Sequence, residues 1–300
     1  MTKLLFIVNP VSGDVDKEPF LEKAARLCNT YGIVYEFFKT TGKDDHKKAL
    51  RKYKQFKPDR VLSVGGDGTV LFVAKLLLDI SCPMGIIPLG SANGMATELF
   101  VSTDPIQALK DVIMSEITAD LDMIKINDQF HMLHIGDVGI NAGIVSSYEK
   151  DENRGIVTYA KYFLEELTKL KPFKVSINAN GKNIETDVLM VAICNARKYG
   201  TGLPLNLIGN PMDGKFEIVL IEKIDSSSLI SAGLAAFDEK FYDSQINQVI
   251  QTEEAEIEFE EPMLLQLDGE ILDKFQKLHV KIVKGAVSLI TTRNNKYLEG

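Results

Sequence analysis

Four short apolar runs, Leu4 to Val8, Val34 to Phe38, Arg60 to Val64 and Gly85 to Pro88, constrain this chain more than any other feature. Between and after them lie amphipathic stretches that predict helices over Lys17 to Thr30, Asp44 to Tyr53, Val70 to Leu78 and Pro105 to Met114. Short apolar strands alternating with helices form a parallel sheet buried on both faces. Ligands of such open sheets sit beyond the carboxyl ends of the strands. Three of the four strands run straight into turns rich in Gly, Asn and Ser, which is where chemistry is expected.

Past about Thr118 the pattern changes. Asp122 to Ile126, Val175 to Asn178, Val188 to Ile193, Phe216 to Ile221 and His279 to Val283 read as strands, and Asn180-Gly181 is a hairpin signal. Two inserted helices are expected near Ile156 to Leu170 and Ser228 to Phe241. The run Glu253 to Glu261 looks like an acidic tail. Ala255, Ile257 and Phe259 alternate with its glutamates, however, which predicts a half-buried strand with a solvated acidic face. The fold class expected is an N-terminal α/β domain followed by a mostly antiparallel β domain. No linker rich in Pro or Ser separates them, so close packing of the halves is expected.

The turn after the third strand is Gly65-Gly66-Asp67-Gly68-Thr69, and it opens a helix. Glycines let a backbone approach a polyphosphate and point its N–H groups at it, and a helix N-terminus adds partial positive charge. Asp67 can hold Mg²⁺ or its waters there, and the Thr69 hydroxyl can donate to a phosphate oxygen. The same residues would also make a plain glycine-rich turn with an aspartate cap. Asn9-Pro10-Val11-Ser12-Gly13 follows the first strand and Pro88-Leu89-Gly90-Ser91-Ala92-Asn93-Gly94 the fourth. Each is an ordinary turn by itself, yet three on neighbouring strands predict a phosphate cradle. Neither GxxxxGK[ST] nor GxGxxG occurs. Farther on, Leu265 to Leu267 leads into Asp268-Gly269-Glu270. That turn is either a hairpin chosen for its conformation or the seat of a general base, with a pKa raised by a partly apolar surround.

Charge and cysteine usage narrow the partners. With 34 basic and 42 acidic residues the net charge is −8, which argues against broad binding to nucleic acid or anionic lipid. The N-terminal apolar run is too short for a signal peptide or a membrane span. Cys28, Cys82 and Cys194 lie far apart without metal-ligand spacing, as buried reduced thiols of a cytoplasmic protein would.

Taken together in their order and spacing, these motifs resemble the diacylglycerol kinase catalytic-domain family, which includes bacterial lipid kinases and sphingosine kinases. The resemblance runs along nearly the whole chain. It takes in Asn9 to Gly13, Gly65 to Thr69, Pro88 to Asn93 and Gly139 to Ala142, then Tyr199 to Gly202, Met212 to Lys215 and Asp268 to Glu270. It implies an ATP-binding α/β domain over residues 1–118 and a lipid-substrate β-sandwich over 119–300, with ATP and lipid meeting in a cleft. By the same resemblance Asn9, Pro10, Ser12, Gly13, Thr40, Gly65, Gly66, Gly68, Thr69, Ser91 and Asn93, with the helix as far as Phe72, would surround ATP. Asp67 would organise the phosphates with Mg²⁺, and Glu270 would be the general base. A structural Mg²⁺ would lie near Asp213 with Asn210 and Lys215 as co-ligands, where the residues alone fit an ordinary turn equally well.

Many members carry glutamate and asparagine where this chain has Phe72 and Lys75, and an aspartate where it has Gly94. The resemblance therefore implies an ATP- and Mg²⁺-dependent kinase acting on the hydroxyl of diacylglycerol or a related glycerolipid. The alternatives are a sphingoid-base kinase, an NAD kinase, or a relative that binds lipid or nucleotide without turnover. Transient contact with a membrane surface is expected, through Arg197, Lys198 and Tyr199 or the helix Tyr159 to Leu170. No nucleic-acid partner is expected, and a homodimer is left open.

Overall fold

The computed structural model describes residues 1–139, 170–198, 204–222 and 247–299. The expected helices at Ile156 to Leu170 and Ser228 to Phe241 therefore fall outside the described residues, apart from Leu170. So do Tyr199 to Gly202 and, beyond Gly139, the stretch to Ala142. The chain divides into two compact units, Met1–Asp122 together with Lys284–Gly300, and Met123–Val283. The final segment thus groups with the first unit, whereas the sequence reading carries its second domain through to residue 300.

In the first unit, strands β1 (Lys3–Val8), β2 (Val34–Lys39), β3 (Arg60–Gly65) and β4 (Met84–Pro88) form a parallel sheet in the order β2-β1-β3-β4. Side chains alternate across it. Leu4, Phe6 and Val8, with Leu62 and Val64, pack against Phe20, Leu21 and Ala24 of α1 (Glu18–Thr30). Ala108, Leu109 and Val112 of α5 (Pro105–Met114) close the same layer. α2 (Asp45–Phe56) and α3 (Asp67–Leu77) also pack with this sheet and with each other. α3 begins three residues earlier than predicted, because Gly66 takes the extended cap conformation and an acidic first turn suits the helix dipole. A five-residue helix, α4 (Gly94–Glu98), was not foreseen.

The second unit is antiparallel. Its strands are β5 (Thr118–Ile126, begun in the first unit), β6 (Phe130–Met132), β7 (Ile135–Val138), β8 (Phe173–Ala179) and β9 (Lys182–Val188). They continue with β10 (Met190–Cys194), β11 (Phe216–Ile221), β12 (Asn247–Thr252), β13 (Glu254–Leu267) and β14 (Glu270–Ile290). Ala255, Ile257 and Phe259 of β13 are buried while Glu254, Glu256, Glu258 and Glu260 are exposed, as the alternation predicts. The first half of β13 pairs with β8 and the last part with β7, and its pairing with β14 shifts register between Glu258 and Met263. Pro262 lies in that interval, where a residue without an N–H is tolerated. Asn180 and Gly181 both have positive φ and join β8 to β9, the expected hairpin. The inward faces of these strands form one apolar core, a β-sandwich.

The end of β14 belongs to the first unit, where Leu289 pairs in parallel with Met84 on β4. The chain then turns back over α4, with the Tyr297 hydroxyl bonded to the buried Glu98 carboxylate and its ring 5.8 Å from Phe100. Cys28, Cys82 and Cys194 are buried and free. Burial pushes the first two thiols up to about 11.

Candidate active site

The three glycine-bearing turns of the first unit converge, chiefly on one another. A Cβ at Gly13, whose φ is +66°, would come within 2.7 Å of the Gly90 carbonyl carbon, and one at Gly90 would overlap Gly66. These glycines serve loop-to-loop approach rather than approach to a ligand. Hydrogen bonds complete the joint. The Ser12 hydroxyl lies 3.2 Å from the Asn9 carbonyl oxygen and 3.3 Å from that of Leu89. The Asn9 side-chain oxygen accepts from Val11 N–H, and the Asn93 amide bonds both the N–H and the carbonyl of Gly90. Lys17, missed in the sequence, is buried, and its ammonium donates to the carbonyls of Ser12 and Val15.

Asp67 belongs to the same joint. Its two carboxylate oxygens accept from Gly94 N–H at 2.9 Å and Met95 N–H at 2.8 Å, so it caps α4 rather than its own helix. Both oxygens that the sequence reading assigns to Mg²⁺ or its waters thus have backbone partners. Ser91 is exposed. Among the expected ATP residues, Ser12, Gly13, Gly65, Gly66, Ser91 and Asn93 build or border the joint.

Beside it opens a cavity of about 460 Å³. Of the residues the resemblance sets around ATP, Asn9, Pro10, Thr40, Gly68, Thr69 and Phe72 line it. Gly68 has open space where a Cβ would stand, which leaves its backbone bare in the first turn of α3. In that turn Thr69 N–H and Val70 N–H already donate to the Gly66 carbonyl, at 2.9 and 3.1 Å, so the N–H groups of Asp67 and Gly68 are the ones left to carry partial positive charge. Thr69 is only 3 % exposed and its hydroxyl has no hydrogen-bond partner. An anion in the cavity suits the Gly68 backbone, whereas the Thr69 hydroxyl is packed inward, 2.3 Å from where a Cβ at Gly65 would stand. Val11, inside the Asn9 to Gly13 turn, lines it too; Thr41, Gly42 and Asp45 also line it and were missed. Asp45 accepts from Thr41 N–H, the Thr41 hydroxyl and Gly42 N–H. Desolvation opposes ionisation of Asp45, but these donors and Lys48 outweigh it and hold its pKa below the usual carboxylate value.

In the second unit, Asp268 and Gly269 both take positive φ between β13 and β14, a two-residue hairpin turn. The Asp268 carboxylate accepts from the N–H groups of Leu133, His134 and Ile135 at 2.8, 2.9 and 3.2 Å. Glu270 follows, paired with Leu267 across the turn, and it is exposed. The partly apolar surround expected around Glu270 is not found among the described residues.

The Asn210–Lys215 segment is an ordinary hydrogen-bonded turn. The Asn210 carbonyl accepts from Asp213 N–H at 3.3 Å, and the Asp213 carboxylate takes Lys215 N–H and the Gln251 amide. No group of three or more His, Cys, Asp or Glu side chains able to hold a metal occurs among the described residues. The Asn210 carbonyl and both Asp213 carboxylate oxygens thus accept hydrogen bonds within the protein. Nearby, sequence reasoning missed Glu217, buried in the all-apolar run of β11 with one oxygen accepting from Gln251. Burial, with Asp213 adding, pushes its carboxyl up to about 7. An acid inside an otherwise apolar strand was the available signal.

Among the described residues, no helix is long and apolar enough to cross a membrane. Residues 3–126 match the family model for the diacylglycerol kinase catalytic domain. Residues 137–291 match that for the YegS C-terminal NAD kinase beta sandwich-like domain. The chain is 23 % identical over 276 residues to a protein named diacylglycerol kinase from Bacillus subtilis (strain 168), covering 90 % of each. It is 28 % identical over 199 residues to the "Probable lipid kinase YegS-like" of Klebsiella pneumoniae (strain 342), covering 65 % of this chain and 67 % of that one. A crystal structure described as a diacylglycerol kinase from Bacillus anthracis str. Sterne shares the fold with a TM-score of 0.75 at 22 % identity, over 98 % of each chain. The two family models together cover both units, and the chain belongs to the diacylglycerol kinase catalytic-domain family, phosphotransferases with an alcohol acceptor.

Proposed function

We propose that this chain transfers the γ-phosphate of ATP to the hydroxyl of a lipid, diacylglycerol or a related glycerolipid. The observation that carries the nucleotide half is the cavity beside α3, onto which the bare Gly68 backbone opens at the start of that helix. The Gly68 N–H would bind a phosphate oxygen, and the Thr69 hydroxyl, once turned toward the cavity, would donate to another. Asp67 acts at one remove, holding the loop after β4 against the others. Mg²⁺, arriving with ATP, would neutralise charge on the phosphates.

For the acceptor half, Glu270 is the proposed base. Its position is fixed by the Asp268 clasp and its exposure leaves it open to a hydroxyl. The acceptor oxygen bonds the γ-phosphorus, the bond from that phosphorus to the β-bridging oxygen breaks, ADP leaves, and Glu270 takes the hydroxyl proton. The lipid is collected at a membrane surface.

The test follows labelled γ-phosphate from ATP into organic-extractable product. Mixed micelles carry diacylglycerol, monoacylglycerol, phosphatidylglycerol, sphingosine or ceramide, with NAD in a parallel aqueous assay. Label in a glycerolipid is expected; label in sphingosine, or only in NADP, would replace the acceptor named here. Glu270→Gln should cut turnover about 10²- to 10⁴-fold at unchanged ATP affinity. Unchanged turnover would remove the base assignment.

A further inference from the structure

Phe72 has no counterpart among the phosphate-binding features, yet it lines the same cavity. It stands on α3 one turn beyond Gly68 and Thr69, at i+4 and i+3, so all three share a helix face with Phe72 about 5–6 Å farther along the axis. A nucleotide whose phosphates meet the first turn has its nucleoside end within reach of this ring. Phe72 is braced from behind α2, where the His46 ring meets it edge-on with centroids 6.1 Å apart and planes at 76°.

The polar groups opposite are already engaged. Thr41 N–H, its hydroxyl and Gly42 N–H all donate to Asp45, and Thr40 N–H donates to the Val8 carbonyl. These donors are not available to read the edge of a base. Besides the Asn9 amide and the Asp45 carboxylate, what the wall offers is the Phe72 ring, and base-to-ring stacking tolerates any base in proportion to its area.

We infer that Phe72, held by His46, is the surface on which the nucleotide base stacks, so that the cavity selects purine over pyrimidine nucleotides by ring area and scarcely separates adenine from guanine. The inference rests on the nucleotide-binding reading above and deepens it.

Calorimetric titration of the full chain, without lipid so that nothing turns over, tests both. The probes are ATP, GTP, CTP and inorganic tripolyphosphate. ATP and GTP are expected to bind within about threefold of each other and CTP about tenfold more weakly. Phe72→Ala should weaken ATP about tenfold, leave tripolyphosphate unchanged and collapse the purine preference. Phe72→Leu, which keeps the apolar volume and the packing of α3, should lose most of the same preference. His46→Ala should cost ATP about two- to threefold.

Equal weakening of ATP and tripolyphosphate, or no weakening of either, would overturn the stacking role. So would a strong ATP-over-GTP preference that survives Phe72→Ala, because the base would then be read at its edge. A parent chain that binds tripolyphosphate but no nucleotide more tightly also overturns the stacking inference alone. A parent chain that binds none of the four probes removes the nucleotide reading itself.

Discussion

Asp67 and Asp268 are the acids of two motifs in two unlike units, and each gives its carboxylate to backbone N–H groups. Asp67, on a helix of the parallel unit, accepts two, from Gly94 and Met95. Asp268, at a hairpin tip of the antiparallel unit, accepts three, from Leu133, His134 and Ile135. The first clasp ties the start of α3, whose Gly68 and Thr69 line a cavity, to the start of α4. The second ties the tip of β13–β14 to a segment more than a hundred residues earlier in the chain. In both places the acid that makes the motif recognisable holds the backbone, and a neighbour (Gly68 in one, Glu270 in the other) is exposed.

That comparison can be broken by stability measurements. The largest effect is expected at the loop joint, where Gly90→Ala should destabilise the first unit by about 4 kcal/mol because two backbones must part. A cost within about 0.5 kcal/mol would mean that the loops are not in contact in solution. Asp268→Ala should cost about 3 kcal/mol and Asp67→Ala about 2, following three and two charge-assisted bonds. Amide hydrogen exchange read separately in each unit measures them. Loss of turnover in Asp67→Ala with native exchange throughout would show Asp67 acting on substrate instead of on α4.

Two buried or bonded carboxylates sharpen the contrast between the units. Asp45 is held below its ordinary pKa by donors, whereas Glu217 is raised to about 7 by burial. Between the ordinary 4.5 and about 7 the folded chain keeps a proton on Glu217 that the unfolded chain releases. Stability from this group is therefore present at acid pH, falls as pH rises through that window and is lost above it. Glu217→Gln, which mimics the protonated form, should exceed the parent above pH 7 by about 2 kcal/mol, with the gap closing toward pH 5. A gap independent of pH would refute the buried ionisation. The smallest stability effect is expected for Gly68→Ala, a gain of under about 1 kcal/mol from helix propensity, accompanied by weaker ATP binding as the methyl enters the cavity. Undiminished ATP affinity would move the phosphates elsewhere.

What the sequence shows directly is what local periodicity encodes. β13 alternates residue by residue, and α5 is bounded by Asp104, which accepts from Gln107 N–H, and Pro105, so both were legible. α4 was not, since five residues have little helical preference of their own and their first N–H groups are held by an aspartate 27 positions away. The same long-range clasp turned Asp67 from a candidate ligand of Mg²⁺ into a cap. Thr41 to Asp45 escaped notice because nothing in their pattern says that the turn after β2 faces the helix after β3. Glu270 was recognisable from its turn, but its exposure depends on strands distant in sequence.

The return of the chain after β14 bears on how the protein is made. Every residue of the cavity precedes position 73, yet the strand beside β4 and the hydroxyl on Glu98 come from Leu289 and Tyr297. A ribosome that has synthesised the whole cavity must add more than two hundred residues before that sheet edge can be covered. During that interval β4 offers an unpaired edge to any other nascent strand. A chain interrupted near residue 280 would contain every residue that lines the cavity and still lack the strand beside β4.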